Sequence, residues 1–86
     1  MSPNSEIEVV LPAALHARPA GAVVRTAARF EAIVTVRHGE RSAAAKSALK
    51  LMSLGAPEGA TVTIHASGND APAAAEAVAA TLRTAT

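Results

Sequence analysis

Residues 33–44 read IVTVRHGERSAA, and this stretch decides the fold. From Ile33 to Arg37 the residues are β-branched and alternate as a strand requires, and Arg41 to Ala44 forms a short returning strand. The residues between them, Arg37-His38-Gly39-Glu40, are typical of a hairpin turn. We therefore predict two antiparallel strands here.

The segment before the hairpin predicts a helix from about Pro19 to Arg29. Apolar residues recur there at helical spacing, so one narrow stripe of the helix is apolar. The stripe consists of Ala20, Val23, Val24 and Ala27. Proline fits the first helical turn, where its missing N–H loses no hydrogen bond, but a residue before proline resists the α region. We therefore expect the helix to begin near Arg18 or Pro19.

The segment after the hairpin predicts a second, shorter helix from Ser47 to Leu54. Serine is a favoured N-cap residue, worth about 1 kcal/mol at that position. Leu51 and Leu54 share one side of this helix, and residues 55–59, GAPEG, stop it.

Two further strands are predicted, one before the first helix and one after the second. The stretch from Glu6 to Leu11 alternates, with Ile7 and Val9 facing inward, and a proline ends it. The stretch from Ala60 to Ala66 alternates apolar with polar residues, which predicts a strand with one wet face.

The last part of the chain predicts a closing helix. Residues 67–70, SGND, supply turn and N-cap chemistry, and an apolar stripe follows. This stripe consists of Ala75, Val78, Ala79 and Leu82. The resulting order, β-α-β-β-α-β-α, predicts an α+β fold, an open-faced β-sandwich. Its four-stranded antiparallel sheet would carry three helices on one face and meet water on the other.

Size and composition restrict the kind of site. We expect residues 1–86 to form a single domain, and a chain this short buries only about 60–65% of its unfolded surface. A large cofactor would not fit inside, so we expect no cofactor and a site on the surface. Phe30 is the only aromatic residue, which predicts an aliphatic core and excludes base stacking on aromatic side chains.

Charge and residue usage restrict the partners and the compartment. Eight basic and seven acidic residues give a net charge of +1, which provides no general attraction to nucleic acid or membrane. There is no cysteine and no carboxylate cluster, so we expect no metal site. The start of the chain resembles no leader and no apolar run could span a membrane, so we expect a cytoplasmic protein without membrane insertion.

The candidate site is residues 15–20, LHARPA, where His16 lies between a strand and the start of a helix. Free backbone N–H groups and the positive end of the helix dipole favour an anion beside the His16 ring. The same field disfavours imidazolium, which leaves one ring nitrogen free to attack phosphorus. Arg18 could steady the phosphate oxygens. From spacing alone, however, a histidine at a helix start is more often a capping or surface residue.

These residues carry a resemblance to the HPr family, the histidine-containing phosphocarrier proteins of the bacterial phosphoenolpyruvate-dependent sugar phosphotransferase system. The resemblance spans nearly the whole chain. It lies in LHARPA at residues 15–20, in AKS at 45–47 with LMSLG at 51–55, and in Gly59 leading into TVTI at 61–64.

The resemblance implies a phosphoryl carrier that is not itself an enzyme. His16 would accept a phosphoryl group on Nδ1 from enzyme I and pass it to sugar-specific IIA domains, and Arg18 matches the active-site arginine of the family. Ala14 stands where the family usually has glycine, so a positive φ there would strain the loop by about 1 kcal/mol. Ala48 stands where the family commonly has a larger apolar docking residue.

Docking residues are expected around this site, and we expect the carrier to be a monomer. Arg18 and Arg25 could share a helix face, with Lys50 joining them as a basic rim for acidic partners. Leu49 and Met52 would be apolar anchors within that rim. The expected docking residues are Ala17, Arg25, Ala48, Leu49, Lys50 and Met52.

Ser47 leaves a second function open. In some relatives the matching serine is phosphorylated by a dedicated kinase, and a phosphate at a helix N-terminus is electrostatically tolerated. The chain could therefore be a regulatory module whose phosphorylation at His16 or Ser47, or at both, signals carbon or nitrogen status. A small nucleic-acid or metabolite-binding domain is disfavoured because the chain lacks aromatic residues and a glycine-rich phosphate loop. His38 and His65 are expected to be solvated.

Overall fold

The computed structural model describes residues 4–86. The seven elements are β1 (Asn4–Val10), α1 (Ala17–Ala27), β2 (Ile33–His38), β3 (Arg41–Ala44), α2 (Ala48–Ser53), β4 (Thr61–Ser67) and α3 (Ala71–Arg83). The predicted order of elements is confirmed. The predictions of a domain over 1–86 and of a start without a leader include residues 1–3, which lie outside the described residues.

The four strands form one antiparallel sheet in the order β1-β4-β2-β3. One row of residues shows how the register builds an apolar face. Ile7 lies opposite Ile64, Ile64 lies opposite Val36, and Val36 lies opposite Ala43. Because side chains alternate along a strand, this register turns most polar residues of the strands to the opposite face. Ser5, His38 and Arg41 are exceptions and lie on the helix side of the sheet.

The core lies between the apolar face of the sheet and the three helices. Helix α3 packs on β1 and β4, α1 packs against α3 and α2, and α2 packs against β3. The largest fully buried side chains are aliphatic, and Phe30 only borders the core. The prediction of an aliphatic core under an open-faced sheet is confirmed. Within residues 4–86, no helix is long and apolar enough to cross a membrane.

Helix α1 begins at Ala17, one or two residues before the predicted start. The Ala20 N–H donates to the His16 carbonyl oxygen at 3.0 Å, which closes the first turn around Pro19. Arg18 therefore adopts the helix despite preceding a proline. The helix ends at Ala27 rather than at Arg29, because the chain tightens into turns that bring it toward β2.

The start of α3 differs from the prediction. Asp70 is the N-cap residue, but its side chain does not cap the helix. Its carboxylate accepts the backbone N–H groups of Glu31 at 2.9 Å and Ala32 at 2.8 Å, in the loop before β2. These hydrogen bonds lower the pKa of Asp70, the bond from Glu31 having the largest effect. Asp70 thus ties the start of α3 to the α1–β2 loop.

Candidate functional site

The loop that presents His16 is fixed at its base by a buried leucine. Leu15 is 4% exposed, and burying a leucine contributes about 1.5–3 kcal/mol. The Leu15 N–H donates to the Ala56 carbonyl at 3.0 Å, and the Leu11 N–H donates to the Ala60 carbonyl at 2.8 Å. The α2–β4 loop therefore holds the segment from which His16 projects.

The predicted strain at Ala14 is absent. None of the non-glycine residues in the described chain has a positive φ, so Ala14 occupies an ordinary backbone conformation. Its carbonyl oxygen accepts the His16 N–H at 2.8 Å. Alanine thus makes the tight turn before His16 without the flexibility of glycine.

His16 is the N-cap residue of α1 and is exposed. Its φ of −78° and ψ of −170° are extended, which turns the chain into the helix. The ring makes no side-chain capping hydrogen bond, and no partner for it occurs among residues 4–86. The imidazole is therefore available to an external reactant.

The first turn of α1 leaves donors beside that ring. The N–H groups of Ala17 and Arg18 have no acceptor within residues 4–86, and Pro19 has no N–H. A helix N-terminus with unsatisfied N–H groups favours negative charge. The chain has no acidic residue between Pro12 and Arg29, so none of the residues next to His16 in the sequence carries a charge that opposes an anion. The start of α1 can therefore hold a phosphoryl group close to an exposed imidazole.

Arg18 and Arg25 share one side of α1, as predicted, but that side faces the end of α3. Together with Arg29 they line a groove of about 470 Å³, whose other wall includes Thr81 and Thr84 of α3. We call this the arginine groove. The basic rim predicted from the sequence did not include Arg29 or the end of α3. Arg29 follows the end of α1 in the turn toward β2, so helical spacing from Arg18 and Arg25 does not locate it.

Lys50 does not join this rim. It lies with Arg41 and Ser53 in a separate depression between β3 and the end of α2. Helix α2 packs against β3, and Lys50 lines this depression together with the β3 residues Arg41 and Ser42.

Helix α2 presents an exposed apolar pair. Leu49 is 73% exposed and Met52 is 37% exposed, whereas Leu51 and Leu54 are buried. This division between the two sides of α2 follows the predicted one. Ala48 is half-buried and packs against the core.

Ser47 caps α2 as predicted. Its hydroxyl oxygen accepts the Lys50 N–H at 3.3 Å, and the side chain is half-buried. The Ser47 hydroxyl oxygen therefore already accepts a hydrogen bond from its own helix, whereas the His16 ring accepts none.

The other two histidines are less solvated than predicted. His38 is half-buried, and its Nδ1 lies 3.4 Å from the Leu54 carbonyl oxygen at the end of α2. His65 is half-buried on the open face of the sheet, between the β1 residue Glu6 and the β2 residue Thr35 in the strand register. Neighbouring strands and the end of α2 shield these rings.

Comparison with known proteins agrees with this geometry. Residues 3–84 match the model of the family described as the PTS HPr component phosphorylation site. The phosphocarrier protein HPr of Haemophilus influenzae is 37% identical over 81 residues, covering 94% of this chain and 95% of that protein. A multiphosphoryl transfer protein of Xanthomonas campestris is 44% identical over 68 residues, covering 79% of this chain and only 8% of that protein.

Solved structures show the same likeness. The crystal structure of HPr from Bacillus anthracis superposes with a TM-score of 0.85 at 34% identity, covering 92% of this chain and 96% of that one. Crh, the catabolite repression HPr of Bacillus subtilis, gives a TM-score of 0.77 at 36% identity, covering 96% of this chain and 99% of that one. The chain belongs to the HPr family and is a phosphocarrier of the phosphotransferase system.

Proposed function

We propose that His16 is the phosphoryl acceptor of this carrier, charged by phospho-enzyme I and discharged to sugar-specific IIA domains. The observation that carries the proposal is the exposed imidazole at the open start of α1, beside two backbone N–H groups without an acceptor among residues 4–86. An external phosphoryl group can reach the ring and meet donors in the same place.

The transfer is a simple displacement. A lone pair of the His16 ring, on Nδ1 by the family resemblance, attacks phosphorus as the bond between phosphorus and enzyme I breaks. The free N–H groups of Ala17 and Arg18 donate hydrogen bonds to the phosphoryl oxygens, and the Arg18 guanidinium offsets the negative charge of those oxygens. Transfer to the IIA domain repeats the displacement with His16 as the leaving group. The chain is thus a reactant in each step and needs no cofactor or metal of its own.

The partner surface extends from His16 over exposed residues of α1 and α2. Ala17 lies beside the acceptor, Arg25 supplies charge, and Leu49 and Met52 supply apolar contact. Ala48 packs against the core and Lys50 lies in the separate depression beside β3, so we assign neither to this surface. All of these residues come from one chain, so a monomer is sufficient for the function.

A relay experiment tests the proposal. The chain is incubated with phosphoenolpyruvate and catalytic enzyme I, separated from both, and mixed with a sugar-specific IIA domain. We expect one phosphate on the chain by intact-mass spectrometry and its transfer to the IIA domain within the mixing time. A reaction that omits the chain should leave the IIA domain unmodified. Transfer confined to a nitrogen-type IIA domain would contradict the sugar-uptake role.

The similarity to Crh favours a second candidate, a regulatory module. Here phosphorylation of Ser47 by a serine kinase, alone or with that of His16, would signal carbon or nitrogen status. Ser47 begins α2, and the added phosphate would meet the N-terminal N–H groups of that helix, which stabilise negative charge.

Charge at Ser47 should affect the reaction at His16 if the two are coupled. We expect Ser47→Asp to slow phosphorylation of His16 by enzyme I several-fold, because the new charge repels an acidic partner surface or disturbs docking. Ser47→Ala separates loss of the hydroxyl from gain of charge. Aspartate is also a good N-cap, so the helix should persist. Equal phosphorylation rates for the Asp and Ala variants would argue against the coupling.

A further inference from the structure

The arginine groove carries concentrated positive charge from three arginines, and the last residue of the sequence, Thr86, also lines it. None of its lining residues is Asp or Glu. Arg18, Arg25 and Arg29 form no ion pair with any carboxylate of residues 4–86, and Arg29 only stacks on Phe30, with 5.7 Å between its guanidinium carbon and the ring centroid. Each guanidinium offers five N–H donors, so most of the donors in the groove lack a protein acceptor.

The threonine side chains that line the groove are neutral, and the hydroxyl groups of Thr26, Thr81 and Thr84 are already bonded. Thr26 Oγ1 lies 2.8 Å from Thr81 Oγ1, and the Thr81 hydroxyl also donates to the Ala77 carbonyl at 3.0 Å. The Thr84 hydroxyl donates to backbone carbonyls of its own helix. A ligand would therefore find its polar contacts on the arginines, and a charged ligand fits better than a neutral one.

The spacing of the arginines describes the ligand. Arg25 lies in the last turn of α1 and Arg29 follows the end of that helix, and both line the groove, so both can face one anionic group. Arg18 is two turns before Arg25, about 10 Å along the axis, and can meet a second group. The volume of about 470 Å³ lies within the range of small-molecule sites, roughly 300–1,000 Å³.

We propose that the arginine groove binds a small metabolite that carries two or more phosphate groups. Guanidinium groups match phosphate oxygens in bidentate geometry, which favours phosphate over a single carboxylate. Two separated groups of arginines favour a polyphosphate or bisphosphate over orthophosphate.

Occupancy of the groove would affect the reaction at His16, a consequence that rests on the proposed function. Arg18 lines the groove and also lies in the first turn of α1 after His16. A ligand that engages Arg18 would compete with the phosphoryl group and with acidic partners, so it would slow phosphorylation. Binding itself does not depend on that function and can be measured without enzyme I.

Calorimetry with inorganic triphosphate at 0.15 M salt tests the site directly, with amide NMR shifts to locate it. We expect binding at least tenfold tighter than that of orthophosphate, with shifts along α1 from Arg18 to Arg25, at Arg29 after the helix end, and at the end of α3. Arg29→Gln should weaken triphosphate binding at least tenfold. Arg83→Gln removes the same charge from an exposed position outside the groove lining, and should change binding less than twofold.

Thr84→Glu provides a second variant, since it puts a carboxylate into the groove at an exposed position and should abolish binding. Equal weakening by Arg29→Gln and Arg83→Gln would overturn the proposal by showing general charge attraction. Shifts confined to His16 and Ala17 would overturn it as well. If a hexaglutamate peptide bound the same residues more tightly than triphosphate, the groove would be a contact for an acidic protein segment instead.

Discussion

Helices α1 and α2 begin in opposite ways. At the start of α2 the Ser47 hydroxyl accepts a backbone N–H of its own helix at 3.3 Å, so part of the helix terminus is satisfied internally. At the start of α1 the His16 ring accepts none, and the N–H groups of Ala17 and Arg18 have no acceptor within residues 4–86. The difference separates a helix start that serves stability from one that is open to a ligand.

The start of α3 is a third arrangement that supports this distinction. Asp70 also leaves its own helix uncapped, but its carboxylate binds the N–H groups of Glu31 and Ala32. An N-cap residue can therefore serve its own helix, another loop or an external group. Only in the last case do we expect substitution to remove function while stability is kept.

The largest effect is expected at the open helix start. Arg18→Gln should slow transfer from phospho-enzyme I to His16 by about 10- to 100-fold, because a positioned charge on the phosphoryl oxygens is lost. Rapid-quench measurement of the phosphorylated fraction gives the rate. Arg83→Gln, which removes one charge from the last turn of α3, should stay within twofold of the parent chain. Equal rates for the two variants would leave Arg18 without a role in the transfer.

The comparison of N-caps gives a smaller effect, on stability. Ser47→Ala should lower the free energy of unfolding by about 1 kcal/mol, since the Lys50 N–H loses its acceptor. His16→Ala should lower it by less than about 0.5 kcal/mol, because the exposed ring caps nothing. Urea unfolding followed by circular dichroism measures both. If His16→Ala lowered the free energy of unfolding more than Ser47→Ala, His16 rather than Ser47 would be the residue that stabilises its helix start.

The smallest effect is expected at Asp70, and it is lost in acid. Because hydrogen bonds from the Glu31 and Ala32 N–H groups lower the pKa of Asp70 below its ordinary 3.8, its contribution to stability is present above that pH. It is lost as the pH falls through the lower, folded value. Asp70→Asn should therefore be less stable than the parent chain at neutral pH, and the gap should shrink as the pH falls below the ordinary pKa of 3.8. A gap that is constant with pH would mean that the carboxylate charge is irrelevant.

Much of this architecture could be predicted because its causes are local. Alternation fixed the strands, and helical spacing predicted the stripe of α3, whose four residues are all fully buried. Local signals also located Ser47 as an N-cap and His16 at the start of a helix.

What could not be predicted depends on residues distant in the chain. Asp70 meets Glu31, 39 positions away, and Thr26 meets Thr81, 55 positions away, so no local pattern shows either contact. The place of Lys50 beside β3 is likewise not visible in the local sequence, because it depends on the packing of α2 against β3. The arginine groove exists only once α1 lies against α3.

The most direct test of the central claim is intact-mass spectrometry after incubation with phosphoenolpyruvate and enzyme I, comparing the parent chain with folded His16→Ala. The account predicts one added phosphate on the parent chain, lost in mild acid, and none on the variant. A phosphate that persists on His16→Ala would contradict the account, since the acceptor would then lie away from the open start of α1.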